Sequence, residues 1–396
     1  MTTTSPAQLR SLLARPGVEA LHRSKIREVA NAGLGREDLL AFWFGEPDEV
    51  TPAFIRDAGI ASLNAGETFY SHSYGIAPLR HAIADYVSRL HRPTSPERVA
   101  VTASGMAAIQ LAAQALLDPG DRALVVTPEW PNVVEAPRIM SARVDTVALT
   151  PSASGWTLDL DRLLDALTPE TTVLFINSPN NPTGWTMTRE DRDAILERCR
   201  KQGTWIVTDD AYERLYYEAG GATPPSFLDV AGPDERVISA NTFSKAWLMT
   251  GWRLGWLVAP EPLMTGLGKL IEYSTSCTPV FVQRAGVAAI TQGEPVIART
   301  LERFRKARDF LVKELRRIDG IEAPTPPGAM YTFFRIAGMR DSLEFCKRLV
   351  TDVGLGLAPG AAFGPEGEGF VRWCFASTED RLADGVARLR RALKKT

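Results

Sequence analysis

The chain has 396 residues, of which 45% are hydrophobic and 23% charged, so it can bury a large core. Its 45 basic and 47 acidic residues are interspersed and leave a formal net charge of −2, which argues against nucleic acid or an anionic membrane as a partner. The short apolar stretches, the polar first ten residues and the scattered cysteines and histidines predict a cytoplasmic protein without a membrane span, a signal peptide or a metal site.

The first 41 residues or so have helical character and no strand of their own. The middle of the chain then alternates short β-branched runs with helical patterns, which is typical of βα units around a largely parallel sheet. The predicted strands are Val99–Thr102, Ala123–Thr127, Thr172–Ile176, Trp205–Thr208, Arg236–Ser239 and Leu254–Ala259. The predicted helices between them include Met106–Leu117, Asp159–Ala166 and Arg189–Lys201, the last with Thr188 as its N-cap.

From about Glu294 the pattern changes to that of a second, smaller α/β unit. Its predicted elements are the helix Ile297–Ile318, strands around Tyr331–Ile336 and Phe370–Phe375, and the helix Asp380–Lys394. We therefore predict an α/β fold in which a large domain, with a mostly parallel sheet sandwiched by helices, is joined to a smaller α/β domain built from both chain ends. The predicted boundaries are 1–44 for an N-terminal arm that packs on the small domain, 45–293 for the large domain and 294–396 for the small one.

Polar, aromatic and ionisable residues directly follow five of the predicted strands. Because ligands bind at the carboxyl ends of the strands in an open parallel sheet, these residues are expected to share one crevice. Each of them taken singly has an ordinary explanation as a turn, cap or core residue. The five groups are Ser104-Gly105-Met106, Glu129-Trp130, Asn177–Gly184, Asp209–Tyr212 and Thr242–Lys245.

The ordered series closely resembles the class I/II aminotransferases, the aspartate-aminotransferase-like enzymes of pyridoxal phosphate fold type I. The resemblance covers nearly the whole chain beyond residue 40, and the series is far more specific than any of its pieces. The matching pieces are Phe44–Asp48, Ser73-Tyr74-Gly75, Ser178–Gly184, Asp209–Tyr212, Ser244-Lys245, Thr250–Gly255 and Val371-Arg372.

The resemblance implies an enzyme that uses pyridoxal 5'-phosphate, with 45–293 as its cofactor-binding domain. Lys245 is implied to hold the cofactor as a Schiff base and then to move a proton, which requires a lowered lysine pKa. Asp209 is implied to pair with the pyridine nitrogen, while Asn181 and Tyr212 bind the phenolic oxygen. Because neighbours alternate along a strand, Asp209 and Asp210 are expected to face opposite ways.

The resemblance also implies a phosphate site, a homodimer and a substrate site. Trp130 is implied to stack on the cofactor ring, and Tyr74 to reach the phosphate of the neighbouring subunit. Arg372 is implied to clamp the substrate α-carboxylate as a planar fork, beside Asn181, Trp130 and Gly45. Gly45 has two explanations that stay open: a side chain there would intrude, or the loop backbone needs glycine. The implied phosphate ligands are Ser104, Gly105, Met106, Thr242, Ser244 and Arg253.

Two departures from the family pattern bear on the substrate. Met106 stands where relatives often carry Thr or Lys, and Tyr273–Cys277 lacks an arginine that some relatives use for a dicarboxylate. Both departures argue against strict aspartate or glutamate specificity. Four aromatic residues are predicted to lie either near the entrance of the site or in the core. If they line the entrance, they favour substrates with neutral or aromatic side chains. They are Phe42, Trp43, Phe44 and Trp130.

Two alternatives accompany the aminotransferase prediction. A C–S β-lyase or an aminocyclopropane carboxylate synthase of the same fold shares these motifs and differs only after the substrate carbanion forms. A non-catalytic cofactor-sensing domain, of the kind fused to transcription regulators, is disfavoured because few residues precede Gly45 to form a DNA-binding segment.

Overall fold

The computed structural model describes residues 14–218 and 221–394 of the chain. Within them the α-helices are α1 (Pro16–Glu19), α2 (Lys25–Ala32), α3 (Ala53–Asn64), α4 (Ala77–Leu90), α5 (Gly105–Leu116), α6 (Pro131–Ile139), α7 (Leu160–Ala166), α8 (Arg189–Gln202), α9 (Glu261–Ser274), α10 (Val280–Gln292), α11 (Glu294–Leu315), α12 (Ser342–Val353) and α13 (Glu379–Leu393).

The β-strands of the same residues form one large sheet and three smaller ones. They are β1 (Leu40–Ala41), β2 (Val99–Thr102), β3 (Arg122–Thr127), β4 (Arg143–Ala148), β5 (Thr150–Ser152), β6 (Gly155–Thr157), β7 (Thr171–Asn177), β8 (Trp205–Asp209), β9 (Val237–Thr242), β10 (Gly255–Val258), β11 (Ile321–Glu322), β12 (Tyr331–Ile336), β13 (Leu355–Gly356), β14 (Ala358–Pro359) and β15 (Phe370–Cys374).

The large sheet has seven strands in the order β2-β10-β9-β8-β7-β3-β4. All neighbours are parallel except β10, which is antiparallel to both β2 and β9. The carboxyl ends of β2, β3, β7, β8 and β9 therefore share one edge, and β10 begins at that edge. The predicted α/β fold with a mostly parallel sheet is confirmed.

Helices cover the large sheet on both faces, which explains the continuous apolar runs in its strands. In β3, Leu124 and Val126 pack into one buried cluster, while Ala123 and Val125 pack into another. Burial of each such aliphatic side chain stabilises the fold by about 1.5–3 kcal/mol. The sheet is therefore a firm platform for residues at its edge.

The ends of α8 and α11 show how local sequence sets helix boundaries. The Thr188 side chain caps α8 in a capping box with Asp191, and Gly203 ends the helix in the left-handed conformation, with φ of 74°. The helix α11 begins three residues before the predicted start, because Pro295 is tolerated in a first turn.

The C-terminal part contains an antiparallel sheet in the order β11-β12-β15-β14. From the N-terminal segment, β1 pairs with β13 and α2 packs against α12 and β14. Residues from both chain ends thus form one layer beside the carboxyl edge of the large sheet. Arg372 lies in the middle of β15, opposite Phe333 of β12.

In the part of the chain that the structure describes, no helix is long and apolar enough to cross a bilayer. The same residues contain no group of His, Cys, Asp and Glu side chains arranged to hold a metal ion.

Candidate active site

A cavity of about 310 Å³ lies at the carboxyl edge of the large sheet, where the sheet meets the C-terminal layer. Twelve of the fourteen site residues expected from the sequence line it. They are Gly45, Gly105, Met106, Trp130, Asn181, Asp209, Tyr212, Thr242, Ser244, Lys245, Arg253 and Arg372.

The Lys245 amine lies on the wall of the cavity that the segment after β9 forms. Its Nζ donates to Gly45 O at 2.5 Å and is 5.7 Å from the centroid of the Tyr212 ring. Desolvation lowers the pKa of Lys245 to about 8; Arg372 acts in the same direction, and Asp209 opposes it. A neutral amine is therefore much more abundant near neutral pH than on an ordinary lysine.

Asp209 is the last residue of β8 and is buried beside Lys245. One of its carboxylate oxygens accepts the Ala211 amide at 3.1 Å, and burial raises the pKa of Asp209 to about 6. The Asp210 carboxylate instead accepts the hydroxyls of Thr208 and Ser239, at 2.7 and 2.5 Å. Asp209 alone of the two lines the cavity, which agrees with the expected alternation.

The N-terminus of α5, the end of β9 and the start of β10 form a polar cup. Gly255 lets these segments approach, because a Cβ there would lie 2.6 Å from the Gly105 amide nitrogen. The Thr242 hydroxyl donates to the Ser244 hydroxyl at 2.9 Å. Arg253 is exposed, with a left-handed φ of 53°, and its guanidinium donates to Thr250 O at 2.7 Å. Helix-terminal amides, hydroxyls and a guanidinium together suit an anion.

The structure does not bring two predicted residues, Ser104 and Tyr74, to the cavity lining. The Ser104 hydroxyl caps α5 by accepting the Ala107 amide at 3.0 Å, so its side chain positions the helix. The Tyr74 hydroxyl donates to Met264 O at 2.9 Å, and its ring packs against Gly268 of α9. Its own chain thus holds the Tyr74 hydroxyl, which disfavours the predicted reach of Tyr74 to a neighbouring subunit.

Arg372 is 2% exposed and joins the two sides of the cavity. Its guanidinium donates to Asn181 Oδ1 at 2.8 Å and to Trp43 O. The rings of Tyr331 and Phe363 lie 4.3 and 4.8 Å from the guanidinium carbon. Within the described residues its buried Nε has no hydrogen-bond partner. The orientation of this cation is thus fixed while part of its donor capacity remains for a ligand.

Tyr331, at the start of β12, is a cavity residue that the sequence did not reveal. Its hydroxyl is 2.7 Å from the Tyr212 hydroxyl, and burial raises the pKa of both. A Cβ on Gly45 would lie 1.8 Å from the Tyr331 hydroxyl. The φ of Gly45 is outside the left-handed region, so this close approach, and not backbone conformation, requires the glycine.

The four aromatic residues expected at the entrance divide into two pairs. Phe44 and Trp130 line the cavity, whereas Phe42 and Trp43 are buried in the core, with Phe42 packed on the Trp373 ring. Glu129, for which the sequence predicted no individual role, holds the Trp130 loop. Its carboxyl accepts the Trp130 amide at 2.7 Å and the Asn180 side chain at 3.2 Å, and burial raises its pKa well above the usual range.

Comparison with known proteins identifies the family. The sequence profile of the family described as aminotransferase class I and II matches residues 37–389. This chain is a class I and II aminotransferase. The family depends on pyridoxal phosphate, and amino acids and 2-oxo acids are the substrate class of aminotransferases. The enzyme prediction and the predicted family are confirmed.

Individual relatives of this aminotransferase have different substrate names. It is 32% identical to an aspartate aminotransferase of Pyrococcus horikoshii, over 94% of this chain and 95% of the relative. It is 30% identical to aromatic-amino-acid aminotransferase 2 of Thermococcus litoralis, over 96% and 97% of the two chains. The crystal structure of an aspartate aminotransferase from Thermotoga maritima superimposes with a TM-score of 0.89 at 32% identity, over 96% of this chain and all of that one.

Proposed function

We propose that this aminotransferase binds pyridoxal 5'-phosphate in the cavity and moves an amino group between an L-amino acid and a 2-oxo acid. The observation that carries the proposal is the Lys245 amine, with its lowered pKa, in one cavity with Asp209 and Arg372. When bound, the cofactor would supply an electron sink for the bonds at the substrate Cα.

The residues present fit this cofactor. Asp209 is a buried carboxylate with one amide donor and Lys245 as its nearest cation, so it suits the protonated pyridine nitrogen. Trp130 offers a ring face, and the Asn181 and Tyr212 side chains, 3.5 Å apart, offer donors for the phenolic oxygen. The phosphate would bind at the polar cup, through the α5 amides of Gly105 and Met106 and the side chains of Thr242, Ser244 and Arg253.

The substrate would be held by Arg372 and handled by Lys245. The planar guanidinium binds the α-carboxylate in a fixed orientation, which a lysine cannot reproduce. The neutral Lys245 amine would accept the proton that leaves the substrate Cα, and its pKa of about 8 suits both uptake and release of a proton near neutral pH. Tyr331 keeps Tyr212 in place through their hydroxyl contact.

We propose a homodimer in which Tyr70, in place of Tyr74, reaches the neighbouring subunit. Tyr70 is 91% exposed, its chain neighbour Phe69 is 84% exposed and Tyr273 is 90% exposed; the segments of Tyr70 and Tyr273 meet where the Ser73 hydroxyl donates to Glu272. Exposed aromatic side chains in one region are typical of an interface. A Y70F variant should weaken cofactor retention, whereas Y74F should not.

The division of the chain at residues 44 and 293 into an arm, a cofactor-binding domain and a small domain remains a proposal. Limited proteolysis with mapping of the cut sites tests it.

We also propose that the enzyme works in the cytoplasm, since its four cysteines are unpaired.

The reaction type is tested by mixing the holoenzyme with single amino acids and following the cofactor spectrum. Conversion to pyridoxamine phosphate with release of the 2-oxo acid supports transamination. Release of pyruvate and ammonia, or of aminocyclopropane carboxylate, would instead assign the β-lyase or the synthase reaction. Borohydride reduction followed by peptide mapping tests the attachment site, and a phosphopyridoxyl group on any other lysine would overturn the role of Lys245.

A further inference from the structure

We infer that Arg27 binds a carboxylate at the far end of the substrate side chain and so sets a preference for acidic substrates. This inference rests on the proposed function, because it takes the α-carboxylate to lie at Arg372. It concerns a residue of the N-terminal helix α2, which no motif of the sequence pointed to.

Arg27 lies on the same cavity wall as the substrate contacts. The Ser24 hydroxyl caps α2 by accepting the Arg27 amide at 3.3 Å, which fixes the first turn of the helix at the cavity. The Arg27 guanidinium carbon is 6.0 Å from the centroid of the Phe44 ring. Phe44 stands between Trp43, whose carbonyl accepts from Arg372, and Gly45, whose carbonyl accepts from Lys245. A side chain that leaves the reacting centre along Phe44 therefore runs toward Arg27.

The charges that line the cavity leave Arg27 without an assigned anion. Four basic side chains and one carboxylate, that of Asp209, line it. In the proposed function, Arg253 binds the cofactor phosphate, Arg372 binds the substrate α-carboxylate, and Lys245 attaches the cofactor covalently. The fourth cation, Arg27, has no such counterpart in the cofactor or in the common part of an amino acid.

The protein itself offers Arg27 no acidic partner among the described residues. Its guanidinium forms no ion pair with any of them. The remaining positions of the sequence, 1–13, 219–220 and 395–396, contain no Asp or Glu. The acidic neighbours along the chain are engaged elsewhere: Glu28 binds Lys347 at 2.5 Å, and Glu46 accepts from Thr250 at 2.7 Å. Such a free cation beside a cavity suits a carboxylate ligand, which a guanidinium binds in two parallel hydrogen bonds.

This assignment changes the substrate expected from the sequence. The absence of Lys at position 106 and of Arg in 273–277 argued against strict aspartate or glutamate specificity, but Arg27 supplies a cation from another direction. Ile26 and Phe44 place apolar surface beside it. The structure therefore favours a substrate whose side chain is apolar near Cα and ends in a carboxylate.

The test compares R27M with the wild-type holoenzyme in the half-reaction that forms pyridoxamine phosphate. The substrates are aspartate, glutamate and 2-aminoadipate, with glutamine and alanine as neutral references. Loss of a hydrogen-bonded ion pair should lower kcat/KM for the preferred acid about 10- to 100-fold. The rates with glutamine and alanine should stay within about threefold, because neither places a charge at Arg27.

R23M is the matched control. Arg23 is exposed, precedes the same helix and does not line this cavity, so R23M makes the same charge change nearby. It should leave the ratio of acid to neutral kcat/KM unchanged. If R23M lowered kcat/KM for acidic substrates as much as R27M does, the effect would come from the positive charge of the region as a whole. A specific contact between Arg27 and the substrate would then be overturned.

A binding measurement separates recognition from turnover. Glutarate carries two carboxylates and valerate one, so the wild-type holoenzyme should bind glutarate more tightly, and R27M should remove most of that difference. An unchanged preference for acids in R27M, or an equal loss with alanine, would overturn the role of Arg27. Absence of pyridoxamine phosphate with every amino acid would instead overturn the proposed function.

Discussion

The two sides of the cavity differ in origin and in the part of the ligand that each is proposed to bind. The strand-end side consists of residues that follow β2, β3, β7, β8 and β9 or precede β10, and it contains the buried Asp209 and the desolvated Lys245. The arm side comes from α2, the 43–45 segment and the small sheet. On it, Arg372 and Tyr331 are buried, whereas Arg27 and Phe44 are exposed. We therefore assign the cofactor chemistry to the strand-end side and substrate binding to the arm side, where Arg372 holds the α-carboxylate common to all substrates and Arg27 the variable end.

The largest expected effect is on the strand-end side. K245A should lower kcat about 10²- to 10⁴-fold with every amino acid, since a positioned proton carrier contributes that much. The variant should also retain no pyridoxyl group after borohydride reduction. K313A, at an exposed position of α11, is the control and should behave as wild type. Normal turnover in K245A would remove the basis for separating the two sides by chemistry.

The strand-end side was predictable for a topological reason. Parallel strands bring their carboxyl ends together, so short motifs far apart in sequence were expected in one crevice, and Asp209, Thr242 and Lys245 lie there. The antiparallel orientation of β10 was not predicted, yet it delivers Arg253 to the same edge because β10 begins there.

The arm side was less predictable, because its residues sit in elements with no local signal. Tyr331 opens an ordinary strand and Arg27 lies on a short amphipathic helix, so only packing of both chain ends against the large sheet reveals their place. The hydrogen bond that holds Tyr74 was unpredictable for a related reason. A sequence motif cannot show that a hydroxyl is already bonded to Met264 O.

On the arm side, R372K should separate substrate binding from cofactor binding. Lysine keeps the charge and loses the planar fork, so kcat/KM should fall about 10- to 100-fold for every amino acid. The cofactor spectrum and its retention on dialysis should not change. If R372K lost the cofactor, Arg372 would belong to the cofactor site and the proposed division of the cavity would be wrong.

The contact between Gly45 and Tyr331 tests how tightly the arm side is packed. A Cβ at residue 45 would overlap the Tyr331 hydroxyl, so G45A should displace one of them and lower kcat/KM about 10-fold. Removal of that hydroxyl leaves the ring carbon Cζ 2.9 Å from the Cβ position. Y331F should therefore restore part of the loss in the double variant, and purely additive losses would mean that the overlap is not the cause.

The smallest expected effect concerns the pKa of Lys245 in the cofactor-free protein. Its reaction with an acylating reagent, followed by peptide mapping, should have a midpoint near pH 8, because only the neutral amine reacts and burial disfavours the charged form. The Asp209 carboxylate stabilises the charged amine, so D209N should move the midpoint to lower pH. D145N, at an exposed acid of β4, should not move it. An unchanged midpoint in D209N would mean that Asp209 is neutral near Lys245, and the strand-end side would then lack the carboxylate that the pyridine nitrogen needs.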